Sequence, residues 1–382
     1  MGQTLSEPVT SKESACCRDA NYRVGSSCMQ GWRVNMEDCH VHILSLPDDP
    51  GTAFFAVYDG HGGAKVAQYA AKHLHEYITR RAEYRAGNIV EAMQQGFLEL
   101  DRTMQYDALL RDEQAGTTVI ALLIKDNVLY SANAGDSRAV ASVGGKAVPL
   151  SRDHKPSLKA ERDRIEAAGG WVELNRVNGN LALSRALGDF VFKRNDRKTP
   201  EEQIVTAYPE VQRHHVTTDW EFAIVACDGI WDVMSNEEVV AFVRSRLAQG
   251  ARNGSEDQGS LVDPEEVCEE LMSHCLAPDA QMGTGCDNMT VVLVCFLHGK
   301  PYSHLVMIST DHYHGWVRHC QNNQLKKCLR ILQNDEDYSC APTVKTKRKN
   351  RMLLHFKAKI HPNIKYPPHL RQQNYFESTD PS

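Results

Sequence analysis

Carboxylates sit where apolar runs stop. Asp59 follows AFFAVY, Asp228 follows FAIVAC, and Asp287 precedes NMTVVLVCF. Glu37 and Asp38 lie just upstream of a further strand-like stretch, Cys39–Leu44. A strand end is a rigid place to hold an acid. Several acids converging there would repel one another unless a cation neutralised them. Oxygen ligands without His or Cys favour Mg2+ or Mn2+ over Zn2+. Spacing alone leaves convergence open, because Asp-Gly is also an ordinary turn.

The elements that must position these acids are mostly short strands. Ala53–Tyr58, Glu221–Cys227 and Met289–Phe296 are continuous apolar runs of strand length. Thr117–Ile124, Val128–Ala132, Arg138–Val143 and Lys146–Leu150 follow one another through Lys125-Asp126-Asn127, Gly135-Asp136-Ser137 and Gly144-Gly145. Strands joined by tight turns with no helix between them imply an antiparallel sheet. Helices are interspersed at Ala64–Arg81, Leu158–Ala168 and Val239–Leu247, the last opened by a capping box at Ser235–Glu238. Asp263-Pro264-Glu265-Glu266 opens another. Hairpin series with separate helices predict an α+β layered fold.

The chain has 382 residues and a net charge of −6, which gives no reason to expect a nucleic-acid partner. Twelve cysteines without a secretory leader predict reduced thiols in a cytoplasmic protein, with the nucleus a second compartment. Residues 301–382 carry 13 Lys/Arg against 6 Asp/Glu, so the acidic surplus lies upstream. The expected organisation is a flexible N-terminal arm over 1–21, a folded domain over 22–298 and a basic, poorly ordered tail over 299–382. Within that tail Val317–Leu332 reads as one short helix, and Lys345–Arg351 is a basic cluster. Gln249–Ser260 reads as an exposed loop.

Seven strings occur in order: MQGWRVNMED (29–38), FFAVYDGHGG (54–63), ANAGDSRAV (132–140), RDHKP (152–156), VNGNLALSRALGD (177–189), IVACDGIWDV (224–233) and CDNMTVVLV (286–294). Together they resemble the metal-dependent, type 2C protein serine/threonine phosphatases over about residues 22–298. The resemblance implies a central β-sandwich of two antiparallel sheets flanked by helices, with a dinuclear Mg2+ or Mn2+ site at one edge. It also implies hydrolysis of phosphoserine and phosphothreonine in protein substrates by a metal-activated water, without a phosphoenzyme. Asp59 matches the carboxylate that bridges both metals. Asp228 and Asp287 match ligands of one metal, and Glu37 with the Gly60 carbonyl match ligands of the other. Asp38 matches a supporting acid, and Asp136 matches a residue that with Asp228 holds a weaker third metal. Arg33 matches the phosphate-binding arginine and His61 the general acid. Asn288 and Asp189 match supporting positions, and Arg185 fits the pattern without an assigned role.

A cysteine-based phosphatase would need Cys-x5-Arg, which Cys17 and Arg23 satisfy, but no glycines there form a phosphate loop. A binding-only relative would lack ligands, and none is missing. Met1-Gly2-Gln3-Thr4-Leu5-Ser6 fits the N-myristoylation pattern at Gly2, which predicts a weak, transient membrane association of a monomeric enzyme.

Overall fold

A computed structural model describes residues 4–252, 261–280, 283–315 and 317–318. The chain divides into two compact units, Met1–Arg318 and His319–Ser382, and the fold below is that of the first. Its strands are β1 (Thr4–Arg18), β2 (Tyr22–Arg33), β3 (Cys39–Ile43), β4 (Ala53–Tyr58), β5 (Gly60–His61), β6 (Gly116–Thr117), β7 (Val119–Lys125) and β8 (Val128–Ala134). They continue with β9 (Arg138–Val143), β10 (Lys146–Pro149), β11 (Val172–Glu173), β12 (Arg176–Val177), β13 (Leu187–Gly188), β14 (Glu210–His215), β15 (Trp220–Ala226) and β16 (Met289–Phe296). The helices are α1 (Lys65–Thr79), α2 (Ala82–Arg85), α3 (Ile89–Tyr106), α4 (Lys159–Ala167), α5 (Asp228–Trp231), α6 (Asn236–Arg252) and α7 (Pro264–Cys275). A last helix, α8, covers 302–315. Among the described residues no helix is long and apolar enough to cross a membrane.

Two antiparallel sheets form a sandwich, one in the order β1-β2-β16-β15-β9-β10 and the other β14-β8-β7-β4-β3. Side chains alternate across a strand. On β4, Ala53, Phe55 and Val57 enter the core between the sheets. Phe54, Ala56 and Tyr58 face the other way, into a core shared with α1 and α3. On β15, Ala223 and Val225 face inward while Phe222, Ile224 and Ala226 meet α6 and α7. Helices thus cover both outer faces. This is why these strands read as unbroken apolar runs and not as alternating ones.

The structure parts from the sequence reading at four places. The hairpins β7–β8 and β9–β10 form as expected, with left-handed Asp126 and Asn127 in the first turn. They belong to different sheets, however, so Gly135-Asp136-Ser137 is a crossover at the sandwich edge and not a third hairpin turn. Within the expected flexible arm over 1–21, Thr4–Arg18 is an edge strand paired with β2. Its polar sequence gave no strand signal, because its side chains are largely solvent-facing and its backbone hydrogen bonds do the work. Helix α3 was not anticipated. It buries Ile89, Met93, Phe97, Leu100 and Met104 and packs closely on α1, where a Cβ on Gly96 would lie 2.9 Å from Ile78 Cγ1.

The fourth departure is the tail. The folded unit does not stop at residue 298, because α8 seats Tyr302, Leu305 and Val306 in the core beneath α6 and α7. Glu221 anchors it. This carboxylate is 2% exposed and accepts from Ser309 Oγ (3.1 Å), the Gly145 N–H (2.9 Å) and the Arg244 guanidinium (3.2 and 3.3 Å), with His312 Nδ1 at 3.1 Å. Most of Val317–Leu332, all of Lys345–Arg351 and residues 253–260 of the expected loop lie outside the described residues. Residues 249–252 of that loop continue α6. Glu221→Ala leaves the Arg244 guanidinium buried without its carboxylate. It should destabilise the protein by about 3–5 kcal/mol in urea unfolding and speed amide exchange in α8. An unchanged midpoint would mean that apolar contacts alone hold this helix.

Candidate active site

One edge of the sandwich collects the strand ends that carry acids. β4 delivers Asp59, β15 delivers Asp228 at the start of α5, and the crossover from β8 to β9 delivers Asp136. Each of these three offers a carboxylate oxygen, and the three oxygens lie within 4.8 Å of one another. Burial, then the neighbouring Asp228, pushes the Asp59 carboxyl well above the usual carboxylate range. Burial, then Asp136 and Asp287, does the same to Asp228. Asp136 is also raised by burial, although Lys155 opposes the rise.

Behind the cluster, side chains fix its position. Asn288 receives a hydrogen bond from the Glu37 N–H (3.0 Å) and donates to the carbonyls of Gln30 (2.8 Å) and Asn35 (3.0 Å). It thereby ties the start of β16 to the loop that presents Glu37. Asp38 is buried and accepts from Thr290 Oγ1 at 2.7 Å. Burial raises its carboxyl to about 7 despite that bond. Gly60 leaves no room for a Cβ against the Glu37 carbonyl, so the β4 end and the Glu37 loop meet backbone to backbone. Oδ1 of Asp38 and Oδ1 of Asp136 are buried with no hydrogen-bond partner.

Glu37 and Asp287 line the same cleft but are not in the three-acid cluster. Asp287 instead pairs with Arg33, Nη2 to Oδ2 at 2.5 Å. The sequence reading gave these two residues separate jobs; the fold sets them against each other. Gly2 lies outside the described residues.

A small sheet of β5, β6 and β13 closes the site on its far side. It pairs His61 with Gly116 and Gly116 with Gly188. His61 Nε2 lies 2.8 Å from Asp189 Oδ2, and a Cβ on Gly116 would collide with both groups. Asp189 adopts a left-handed backbone conformation, φ 51°, that few non-glycine residues take. Burial disfavours the His61 imidazolium, but Asp189, joined by Asp136 and Glu37, outweighs it and holds the histidine above its usual value.

The cleft has a volume of about 1070 Å³ and runs from the acids to the segment 176–192. That segment is braced by Glu161 of α4, which accepts from Arg164 (2.6 Å), Arg185 (2.6 Å) and Ser184 (2.7 Å). Arg185 is therefore a structural clamp, which also donates to the Tyr208 carbonyl at 3.1 Å. Sequence reasoning missed Gly116, Lys155 and Glu161. It left Asp189 as a generic supporting position. No spacing rule marks their roles, since the partners that tie them to the site, Asp136 for Lys155 and Ser184 and Arg185 for Glu161, lie 19 to 24 residues away.

Residues 22–282 match the sequence profile of the family described as Protein phosphatase 2C. The chain belongs to the protein phosphatase 2C family. A probable protein phosphatase 2C of Caenorhabditis elegans is 62% identical over 78% of this chain and 82% of its own length. Protein phosphatase 2C homolog 2 of Schizosaccharomyces pombe is 44% identical over 86% of this chain and 85% of its own. Among solved structures, a phosphatase from Toxoplasma gondii is similar, with 27% identity, a TM-score of 0.62 and coverage of 75% of this chain and 96% of that one. The protein is thus a protein serine/threonine phosphatase of the 2C type, acting on phosphoproteins, and its family is metal-dependent.

The 2C assignment leaves no place for the Cys17–Arg23 alternative. Cys17 lies on β1, Arg23 pairs with Asp263 and stacks on Tyr302, and burial pushes the Cys17 thiol up to about 11, away from a nucleophilic thiolate. The His61–Asp189 pair generates a test. Removing the Asp189 charge lowers the His61 pKa, so protonated His61 is lost at lower pH. In Asp189→Asn the alkaline limb of kcat for a phosphoserine peptide should move toward lower pH, while p-nitrophenyl phosphate, whose leaving group needs little protonation, should change less. Identical pH profiles of variant and parent would remove Asp189 from His61 chemistry.

Proposed function

We propose that this phosphatase holds two divalent cations, Mg2+ or Mn2+, at the sandwich edge, with room for a weaker third. The observation that carries this reading is the crowding of Asp59, Asp136 and Asp228, with one Asp136 oxygen buried and unpartnered. A cluster of close-set, partly buried carboxylates with spare lone pairs suits oxygen-preferring cations. Asp59 would serve both cations. Asp228 and Asp287 would complete one position, and Glu37 with the Gly60 carbonyl the other. Asp136 with Asp228 would hold the third. The cations supply Lewis acidity, lowering the pKa of water toward neutrality and offsetting charge on the phosphoryl oxygens.

The remaining steps belong to the chain's own residues. Arg33 binds the phosphoryl group through its planar guanidinium, exchanging its contact with Asp287 for the substrate. Water attacks phosphorus, the bond from phosphorus to the serine or threonine oxygen breaks, and His61 gives the departing alkoxide its proton. Asp189 orients the imidazole for that transfer. Asn288 and Asp38, with Thr290, hold the acids in place from behind. Because water is the nucleophile, no phosphoenzyme forms.

We further propose that the enzyme is a cytoplasmic monomer, also present in the nucleus, and that an acyl chain on Gly2 gives a minor, reversible membrane fraction. Thr4 begins β1 and pairs with Arg33, so an anchor at Gly2 would be tethered two residues from the catalytic edge.

Activity on a phosphothreonine peptide should require Mg2+ or Mn2+ and vanish in EDTA. Asp59→Asn should lower kcat/KM by at least about 100-fold, the scale expected when a central charge is lost from a metal-assisted site. A variant near the parent rate at moderate Mg2+ would sink the two-metal reading. For the N-terminus, Gly2→Ala should abolish the membrane-bound fraction in cell fractionation. Intact mass spectrometry showing no acyl chain on protein from its native cells would refute that part alone.

A further inference from the structure

Lys155 belongs to no catalytic role assigned above, yet its ammonium Nζ lies 2.5 Å from Asp136 Oδ2. Its placement is built, not incidental. The three residues before it are each tied down. The Arg152 carbonyl accepts from Asn133 Nδ2 (2.7 Å), Asp153 takes both ends of the Arg138 guanidinium (2.9 and 2.8 Å), and the His154 N–H donates to the Gly135 carbonyl (2.8 Å). Ser184 Oγ then donates to the His154 carbonyl at 3.0 Å. The loop is thus knitted onto the β8–β9 crossover that carries Asp136. One Asp136 oxygen is occupied by Lys155, and the other is buried without a partner. Asp136 is 3% exposed, so water does not compensate its charge, whereas the Lys155 side chain is 37% exposed. A lysine ammonium is a compact point charge on a flexible stem, with donors only. It can hold a carboxylate and also retreat to solvent.

We propose that the Lys155 ammonium is a resident cation of the acidic cluster, which a divalent ion shared by Asp136 and Asp228 must displace from Asp136. Lys155 then sets the affinity of that one position. With the ammonium in place, the three-acid cluster is partly neutralised at its Asp136 corner. Occupation of the shared position by a divalent ion releases Lys155 outward. The positions built on Asp59, Glu37 and Asp287 do not use Asp136, so Lys155 occupies none of their ligand oxygens and acts on them only through space, by way of its field at Asp228.

This inference rests on the reading that these carboxylates hold divalent cations, and the two can fail separately. Mn2+ binding to the full chain would be followed by equilibrium dialysis in the parent and in Lys155→Met, with circular dichroism confirming the fold. The weakest Mn2+ should bind about tenfold tighter in Lys155→Met, as expected for losing a competing charged hydrogen bond, while the tighter ions change less. A folded variant whose weakest ion binds equally or less tightly overturns the proposal and leaves the metal reading intact. A parent that binds no Mn2+ overturns both. A second measurement needs no variant. Labelling of the parent with an amine-reactive reagent, read by peptide mass spectrometry, should modify Lys155 several-fold faster in saturating Mg2+ than in EDTA. An equal or slower rate would falsify the displacement.

Discussion

Three carboxylates crowded at one edge do not stay together on their own charge. Asp59, Asp136 and Asp228 bring oxygens within 4.8 Å of one another, and each has its carboxyl raised by burial, Asp59 and Asp228 further by their acidic neighbours. Like charges at such distances cost several kcal/mol where water is scarce. A pliable scaffold would relax by letting the acids swing toward solvent. The rest of the fold prevents that relaxation, so the repulsion is held ready for cations to relieve.

The sandwich supplies the stiffness. Strands β4, β15 and β16 are buried on both faces, between the facing sheet and a helix layer, so none of the three can slip register without exposing a full row of apolar side chains. Asp59 and Asp228 are the next residues, or next but one, after such strands, and Asp287 comes just before one. Close backbone approach does the remaining positioning. Gly60 lets the Glu37 loop touch the β4 end, and Gly116 opens the space in which His61 meets Asp189. A side chain at either glycine would push apart groups that the chemistry needs together.

The segment beyond β10 adds a second layer of control. The loop at 152–155, the α4 acid Glu161 and the arginines Arg164 and Arg185 form one connected polar structure reaching from the acidic cluster to the far wall of the cleft. Glu161 is depressed to about 2, with burial working against the arginines and Ser184 and losing to them. Its contribution to stability is therefore complete above its ordinary range near 4.5 and fades only as pH falls toward 2. The cleft wall is braced throughout the pH range in which a histidine acid would work.

Several parts of this architecture were legible in the chain alone. Apolar runs of strand length bounded by Asp59, Asp228 and Asp287 marked both the strands and the acids, because a doubly covered strand must be apolar throughout and a charged side chain must sit beyond its end. The Ser235 capping box and the proline opening α7 were readable for the same reason: each signal and its partner lie within a few residues. Other features were decided only by tertiary structure. β1 is held by backbone hydrogen bonds that no side-chain pattern announces, and α8 is held by Glu221, some 80 residues upstream of it. That Asp136 is a crossover and not a hairpin depends on which sheet accepts β9. The pairing of His61 with Asp189, 128 residues apart, exists only once β5, β6 and β13 have come together, and that of Arg33 with Asp287, 254 apart, only once β2 has paired with β16. Hydrophobic period and turn chemistry are local and so are written in the sequence. Which charges meet at the edge is a long-range electrostatic outcome, and only the packed sandwich determines it.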